Sequence, residues 1–396
     1  MLNQWPRDAT LPAFLVISLL WTGEDGRADV FDYLAETRTE VSIRGHFEDV
    51  NDSSLPNADG ATLRTRIKFE TAEARFTQLT LELENTTTLT SKDFSNGVRD
   101  RGTTVIADPD TTEINQALLR FTGVPRTIIQ LGRQTISLDN ERFVGTVDFR
   151  QNQQTYDALS ILTKPASDWS VYYAHIEAVN TFLGRKATNG RQRHDSDLLN
   201  IQYQLNDNTS VGAYHYAIEN ESLVSNQHKT SGIRFTASWP LQHLAPGVKL
   251  EYAHQTPDFG SSTDYLMMEA AIKISWLQLL AGQESLGGRN NTGFQTPLAT
   301  LHKFNGFTDQ FLLTPGVGLE DRYATLRFTL GPGRIELTAH EFAAEDGGFD
   351  LGKEHSVGAW YRLGERGSLA IKWARFDGKA NRTDIRKYWL QLGYEF

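Results

Sequence analysis

The sequence predicts an all-β fold, a transmembrane antiparallel β-barrel of about 18 strands with short periplasmic turns and long extracellular loops. Three observations support this prediction. Hydrophobic and polar residues alternate along most of the chain, the connections between alternating segments switch between short and long, and the chain ends in an aromatic strand. Helical periodicity is nearly absent.

Composition narrows the possible functions. The 396 residues include 39 Lys and Arg against 49 Asp and Glu, a formal net charge of −10, and no Cys. Disulfides, Cys-ligated metal sites and a thiol nucleophile are therefore excluded. An acidic chain lacks the basic surface that nucleic-acid binding requires, so no nucleic-acid partner is expected. The mean hydropathy of −0.43 suits a wide barrel, because only alternate strand residues face lipid.

The chain is predicted to begin with a signal peptide over residues 1–28. Its apolar core, Leu11–Trp21, is too short to span a bilayer as a helix. Arg7 precedes this core and small residues stand just before Asp29, where cleavage is expected. An ordinary buried segment is the alternative. With the signal removed, residues 29–396 would form the barrel in the outer membrane of a Gram-negative bacterium.

The body of the chain alternates with a period of two. In Ala61–Glu70, for example, one face carries the apolar residues and the other carries Arg64, Arg66 and Lys68. Each such segment is close to the 9–11 residues that a tilted strand needs to cross the hydrocarbon layer. Eighteen segments are predicted, at about 36–49, 59–71, 74–86, 112–122, 125–134, 155–164, 167–180, 194–206, 208–221, 227–239, 246–257, 263–274, 275–284, 321–331, 333–345, 352–363, 366–377 and 384–396.

The predicted connections sort into two kinds. Several short ones carry turn residues, such as Gly331-Pro332-Gly333. Short periplasmic turns and longer extracellular loops are typical of outer-membrane barrels, whereas a β-sandwich has no reason to sort its loops in this way. The longer connections are predicted at 50–58, 87–111, 135–154, 181–193, 222–226, 258–262, 285–320, 346–351 and 378–383.

Aromatic residues support a membrane location. Lys387–Phe396 alternates and ends on an aromatic residue, and it resembles the terminal strand that the barrel assembly machinery recognises. That machinery and outer-membrane lipid are therefore expected partners. Six Trp residues near strand ends are expected at the two membrane interfaces, with core packing as the alternative: Trp169, Trp239, Trp276, Trp360, Trp373 and Trp389.

Two stretches, Leu131–Leu159 and Phe294–Asp321, depart from the period of two. The first contains Gly132-Arg133-Gln134, Asp139, Arg142-Phe143-Val144-Gly145, Arg150-Gln151-Asn152 and Tyr156-Asp157-Ala158, and the second contains Thr296-Pro297-Leu298-Ala299-Thr300 and His302-Lys303-Phe304-Asn305-Gly306. Together they resemble the alginate export family of outer-membrane barrels, although Asp148-Phe149 stands where that pattern has Gly-Trp. The resemblance covers most of the mature chain and implies an eighteen-stranded barrel, in agreement with the count from periodicity.

The barrel and the resemblance together predict an outer-membrane porin. It would pass hydrophilic solutes, anionic or carbohydrate-like, by passive diffusion. A dedicated alginate-like polysaccharide exporter, a non-conducting surface receptor or adhesin, and a soluble glycan-binding protein are the alternatives; recovery from the soluble periplasm would favour the last. The sequence has no zinc-protease, serine-hydrolase or Walker motif, so no enzyme, metal or cofactor is expected.

The candidate site residues form two groups. If the first stretch folds into the lumen, the guanidinium groups of Arg133, Arg142 and Arg150 would be placed to bind carboxylates or phosphates. Lys303 and Asp309 are expected either to pair with that stretch or to be solvated. The full set of constriction candidates is Arg133, Asp139, Arg142, Arg150, Gln151, Asp157, Lys303 and Asp309, and the further lumen-facing candidates are Arg44, Arg64, Arg66, Lys68, Arg120 and Arg327.

Overall fold

The computed structural model describes residues 36–396, so the predicted signal peptide lies outside the described residues. Within this range no helix is long and apolar enough to cross a membrane. The strands are β1 (Arg38–Asp52), β2 (Leu55–Glu70), β3 (Thr77–Thr88), β4 (Thr111–Phe121), β5 (Thr127–Gln134), β6 (Thr155–Thr163), β7 (Trp169–Asn180), β8 (Arg191–Asn206), β9 (Thr209–Ile218), β10 (His228–Ser238), β11 (Ala245–Pro257), β12 (Thr263–Ile274), β13 (Leu277–Leu286), β14 (Gly288–Arg289), β15 (Thr292–Gly293), β16 (Leu319–Leu330), β17 (Gly333–Ala343), β18 (Asp350–Leu363), β19 (Gly367–Gly378) and β20 (Ile385–Glu395).

Eighteen of these strands form one closed sheet. Each barrel strand pairs antiparallel with the next along the chain, and β13 pairs with β16 because β14 and β15 form a separate hairpin in the loop between them. β20 pairs with β1 from Ser42 opposite Glu395 to Asp52 opposite Ile385, which closes the ring. A closed ring leaves no strand edge unpaired, as a membrane-spanning sheet requires. The predicted fold class and all eighteen predicted segments are confirmed.

The prediction of a long connection at 50–58 is wrong. β1 and β2 continue past it to a tight turn in which Asp52 pairs with Leu55. The Asp52 carboxylate accepts hydrogen bonds of 2.8 and 2.7 Å from the backbone N–H and the hydroxyl of Ser54. The hydrophobic alternation fades in this segment because outward residues above an apolar band no longer face lipid, yet the backbone ladder goes on.

The two faces of the sheet differ in chemistry. Outward positions such as Leu326 and Leu337 are apolar and exposed, whereas their inward neighbours Arg327 and Glu336 form an ion pair of 2.7 Å. Three of the predicted interface residues, Trp169, Trp239 and Trp276, are exposed where β7 begins, β10 ends and β12 turns into β13, at the short-turn end.

The prediction that Trp389 lies at a membrane interface is wrong, because Trp389 is 2% exposed and lies inside the barrel. Its ring packs edge-on against Phe149 at 6.2 Å. The reason is its position in β20, where it alternates with the exposed Tyr388 and Leu390. The same alternation that puts those two residues on the lipid face turns Trp389 inward.

We expect adjacent residues on opposite faces of β17 to tolerate charge very differently. Leu337→Arg places a cation on the lipid face and should lower the free energy of unfolding by about 2–4 kcal/mol, because a guanidinium near the bilayer midplane loses its hydration. Thr338→Arg, one residue further on and facing inward, should change it by less than half as much. Guanidinium titration of the barrel in lipid vesicles measures both, and equal losses would contradict the assignment of the faces.

Candidate pore constriction

Two long loops fold inside the barrel and pack on each other. We call them the first inner loop (135–154) and the second inner loop (287–318). Val144 and Leu298 form a parallel bridge between the loops, and the Gly145 N–H donates a 2.9 Å hydrogen bond to the Leu298 carbonyl. The two stretches that depart from the period of two in the sequence are therefore parts of one inner unit.

Side-chain ion pairs join the same two loops. Lys303 pairs with Glu141, and Asp309 lies 3.6 Å from the guanidinium of Arg150. Of the two alternatives left open by the sequence, the structure shows pairing with the first inner loop for both residues.

An aromatic core fills the barrel between the inner loops and the wall. Phe143 of the first inner loop lies 5.1 Å from the ring of Tyr214 and 5.4 Å from that of Tyr265, both on wall strands. Phe294 of the second inner loop completes the group at 6.0 Å from Phe143. This core anchors the loops by burial of apolar surface, as in the interior of a soluble domain.

Arg142 fixes the first inner loop to the far wall. It is 1% exposed, and its guanidinium donates to the Glu284 carboxylate of β13 at 2.8 and 3.1 Å and to the Asn305 amide oxygen at 3.0 Å. Burial lowers the pKa of Arg142, but Glu284 and Tyr265 together raise it by more, so the pKa lies above its usual value. Arg142 is a buried anchor between two loops and a strand.

Arg150 anchors the other side of the same loop. Its guanidinium lies 2.7 Å from the Glu48 carboxylate of β1 and 3.6 Å from Asp309. Lys387 of β20 reaches the same Asp309 at 3.2 Å. Burial lowers the pKa of Arg150, but these carboxylates raise it well above its usual value. Ion pairs thus hold the two inner loops against β1 and β20, the strands that close the barrel.

His302 lies at the centre of this second cluster. Its ring stacks on Phe149 at 3.6 Å, its Nδ1 lies 2.7 Å from the Asp309 carboxylate, and its Nε2 contacts the ammonium of Lys372. Burial lowers the pKa of His302 to about 3, although the Asp309 carboxylate opposes this shift. The docked His302 is therefore neutral at physiological pH.

One group of residues has the composition of a metal site. His46, Glu48 and Asp108 are buried and place three potential ligand atoms within 4.8 Å of one another. The guanidinium of Arg150 already lies 2.7 Å from Glu48 and 4.0 Å from Asp108. Arg150 therefore supplies positive charge beside both carboxylates, and the His46 Nδ1 lies 2.8 Å from Asp108.

A row of three arginines on β1 and β2 faces the tip of the first inner loop. We call Arg44, Arg64 and Arg66 the arginine row; Arg44 lies directly opposite Arg64 in the sheet. Arg44 donates to the Gln151 side-chain oxygen at 3.0 Å and to the Asp148 carbonyl at 2.8 Å.

The Asp148 carboxylate faces the arginine row. It lies 4.0, 3.6 and 3.9 Å from the guanidinium groups of Arg44, Arg64 and Arg66, and its side chain is 58% exposed. Gln153 donates a 2.9 Å hydrogen bond to the same carboxylate and holds it in place. This is the one point in the sequence motif where an acid stands in place of the glycine that the family resemblance predicts.

The prediction that Arg133 and Asp157 lie at the constriction is wrong. They pair with each other at 2.7 Å on the face that carries the exposed Leu131 and Leu159, opposite the buried Ala158. Both residues therefore project from the outer surface, next to the long-loop end. The physical reason is that outward positions become polar where a strand leaves the apolar band.

The remaining candidates lie on the inner side and have partners there. Asp139 pairs with Arg234 at 3.2 Å and accepts a 2.8 Å hydrogen bond from Asn200. Gln151 is buried and donates to the Thr62 carbonyl at 3.0 Å. The three bases outside the arginine row pair as Lys68 with Glu70 at 2.9 Å, Arg120 with Glu73 at 3.7 Å, and Arg327 with Glu336 at 2.7 Å.

Sequence reasoning missed the wall partners that hold the loops. Glu284 and Arg142 are 142 residues apart, so no local spacing connects them. The inward position of Glu48 and Lys372 follows from strand alternation, but their contacts with the inner loops do not. The signal that the sequence offers for such a partner is an acidic or basic residue at an inward strand position opposite a long loop.

A closed antiparallel barrel with a polar inner face and inward-folded loops defines the class of outer-membrane channel barrels. Solved structures of that class share the fold. Pseudomonas aeruginosa OccK9 (OpdG) is 12% identical with a TM-score of 0.74 over 92% of this chain and 99% of its own. Acinetobacter baumannii OccAB4 is 12% identical with a TM-score of 0.73 over 91% and 98%.

The sequence assigns the chain to one family of outer-membrane barrels. The profile of the alginate export family matches residues 40–264, and the chain belongs to that family. No curated protein matches the sequence. The predicted family resemblance is confirmed, and the match includes the first motif stretch, Leu131–Leu159, but ends before the second.

We expect Arg142→Gln to release the first inner loop. The substitution leaves Glu284 buried without its cation, and breaking a buried pair in this way typically destabilises by about 3–5 kcal/mol. Single-channel conductance should rise and the loop should become sensitive to protease. Arg133→Gln removes an arginine of the same strand–loop segment from the outer surface and serves as the control; an equal effect of both variants would contradict the anchor role.

Docking of the second inner loop should weaken in acid. An exposed histidine titrates near pH 6.5, whereas burial lowers the pKa of His302 to about 3, so the undocked loop binds the proton more tightly. Docking is therefore strongest above about pH 6.5 and weakens progressively as the pH falls below that value. Channel current should increase between pH 7 and 4.5, and His302→Gln should remove most of that dependence. A pH response that persists in the variant would assign it to another group.

Proposed function

We propose that this chain is an outer-membrane channel of a Gram-negative bacterium that passes hydrophilic, anionic solutes by passive diffusion. The observation that carries this proposal is the arginine row. Three guanidinium groups on two adjacent strands face one partly exposed carboxylate, and a lumen lined in this way attracts anions and repels cations.

The arginine row has unused hydrogen-bonding capacity. The Nε and Nη1 atoms of Arg64 and the Nη2 atom of Arg66 are buried and make no hydrogen bond within residues 36–396. A buried donor without an acceptor is costly, so these nitrogen atoms favour an additional negative charge next to the arginine row. Arg66 is also engaged by chain carboxylates, because it pairs with Glu84 and lies 3.8 Å from Glu82. Arg142 and Arg150 likewise pair with Glu284 and Glu48, so within the arginine row the unused donors belong mainly to Arg64.

The comparisons agree with an anionic solute. Pseudomonas aeruginosa OpdK, which is 12% identical with a TM-score of 0.72 over 92% of this chain and 99% of its own, was solved with vanillate, an aromatic carboxylate. Alginate, after which the family is named, is a polymer of uronate carboxylates. A small carboxylate and a polyuronate would therefore meet the same guanidinium groups, and export of such a polymer is the alternative within transport.

One observation favours a different class of function. The aromatic core around Phe143 and Tyr265 fills part of the barrel in the way that a protein interior is filled. A barrel plugged by such a core would act as a surface receptor or adhesin. Conductance separates the two classes, because a permanently plugged barrel carries no ion current in a planar bilayer.

We expect an anion-selective current, with Asp148 limiting the selectivity. Asp148→Asn removes the carboxylate that faces the arginine row and should raise the anion-to-cation permeability ratio about twofold or more, whereas Arg64→Gln combined with Arg66→Gln should lower it. Reversal potentials in a salt gradient measure both changes. Asp157→Asn, an acid of the outer surface, is the matched control. Cation preference of the unmodified protein would refute the proposed anion role, and no current would favour the receptor.

A further inference from the structure

A second set of cations lies on the outer surface, far from the pore. His355, Arg375 and Arg386 occupy neighbouring positions on β18, β19 and β20, with His355 opposite Arg375 and Arg375 opposite Arg386. All three share the face of exposed apolar residues and lie close to the long-loop ends of their strands. We call Arg375 and Arg386 the outer cation row, and His355 lies beside it.

The outer cation row is only partly balanced by the chain. Like charges directly opposite in an antiparallel pair destabilise the sheet. Arg375 pairs with Asp377 at 2.8 Å, whereas Arg386 lies over the ring of Tyr388 at 5.8 Å, and Lys353 above the row is neutralised by Glu341. The Asp49 carboxylate of the neighbouring β1 also acts on Arg386, but within residues 36–396 Arg386 forms no ion pair of its own. Arg386 is therefore the position at which a further anionic group can pair directly.

The surface immediately below the row is apolar. Val357, Trp373 and Tyr388 stand in the same register one step towards the short-turn end. Beside Trp373 runs a groove of about 550 Å³ across the lipid-facing surface. The groove exists because Ala324 and Ala339 are small while Leu326, Leu337 and Val357 around them are large.

We propose that this surface binds a phosphorylated glycolipid of the lipid A class, with a phosphate on Arg375 and Arg386 and an acyl chain in the groove. The long-loop end of such a barrel faces the cell exterior, where the outer leaflet presents phosphates above acyl chains. A cationic row above an apolar groove matches that order of groups. Arginine is also the side chain best suited to bidentate phosphate binding. This inference is independent of the solute that passes through the pore.

The test is a titration of the delipidated full-length barrel with bisphosphorylated lipid A in detergent, followed by native mass spectrometry. Each arginine near a membrane surface contributes about 1 kcal/mol to binding an anionic lipid, so Arg375→Gln combined with Arg386→Gln should weaken binding about tenfold or more. Ala339→Phe fills the groove and should weaken binding without any change of charge.

A matched control distinguishes this site from general charge attraction. Arg191 and Arg193 are exposed at the same end of the barrel on β8, and their double substitution by Gln removes the same charge. Lipid A binding should be unchanged in that control. Equal lipid A binding by the Arg375/Arg386 variant and the unmodified barrel would overturn the proposal. Equally tight binding of dioleoylphosphatidylglycerol to the unmodified barrel would also overturn it, because that result would indicate an unspecific surface for anionic lipids.

Discussion

The pairing of β20 with β1 is the interaction on which the rest of the structure depends. Without it the sheet would expose two rows of unpaired N–H and C=O groups to hydrocarbon, and each would cost several kcal/mol. Closure also divides every strand into an outer and an inner residue set, because successive side chains point to opposite faces. The apolar outer band and the polar lumen are two consequences of the same ring of backbone hydrogen bonds.

A ring of eighteen strands is too wide for wall side chains to fill, so the loops determine what crosses it. The two inner loops combine an aromatic core with charges that are buried only in pairs, such as Arg142 with Glu284 and Arg150 with Glu48. A buried charge without a partner would shift the docking equilibrium by several kcal/mol. Arg142 and Arg150 are therefore anchors held by carboxylates of the chain. In the arginine row Arg66 is also paired with Glu84, and Arg64 keeps two donors without a hydrogen bond within residues 36–396.

The sequence predicted the strands well because a period of two and turn residues are local signals. It predicted less about side-chain direction. Alternation groups residues onto one face but does not say which face is inside, and this is why Arg133 and Trp389 were misplaced. Register shifts further change the parity along a strand, as in β4, where Asn115 is skipped because Glu82 and Leu83 of β3 pair with Gln116 and Ile114. Contacts such as the Arg142–Glu284 pair join distant segments, and only the closed fold brings them together.

The net charge of −10 therefore says little about what the channel admits. At physiological ionic strength, exposed charges are screened beyond about 8 Å, so acids on the outer surface such as Asp157 act weakly on a solute inside the barrel. The three guanidinium groups of the arginine row each lie within 4.0 Å of the Asp148 carboxylate, in a partly buried environment where screening is weaker. Under the proposed function, selectivity would depend on these side chains and on Glu82 and Glu84 beside Arg66, because the wall separates them from the acids of the outer surface.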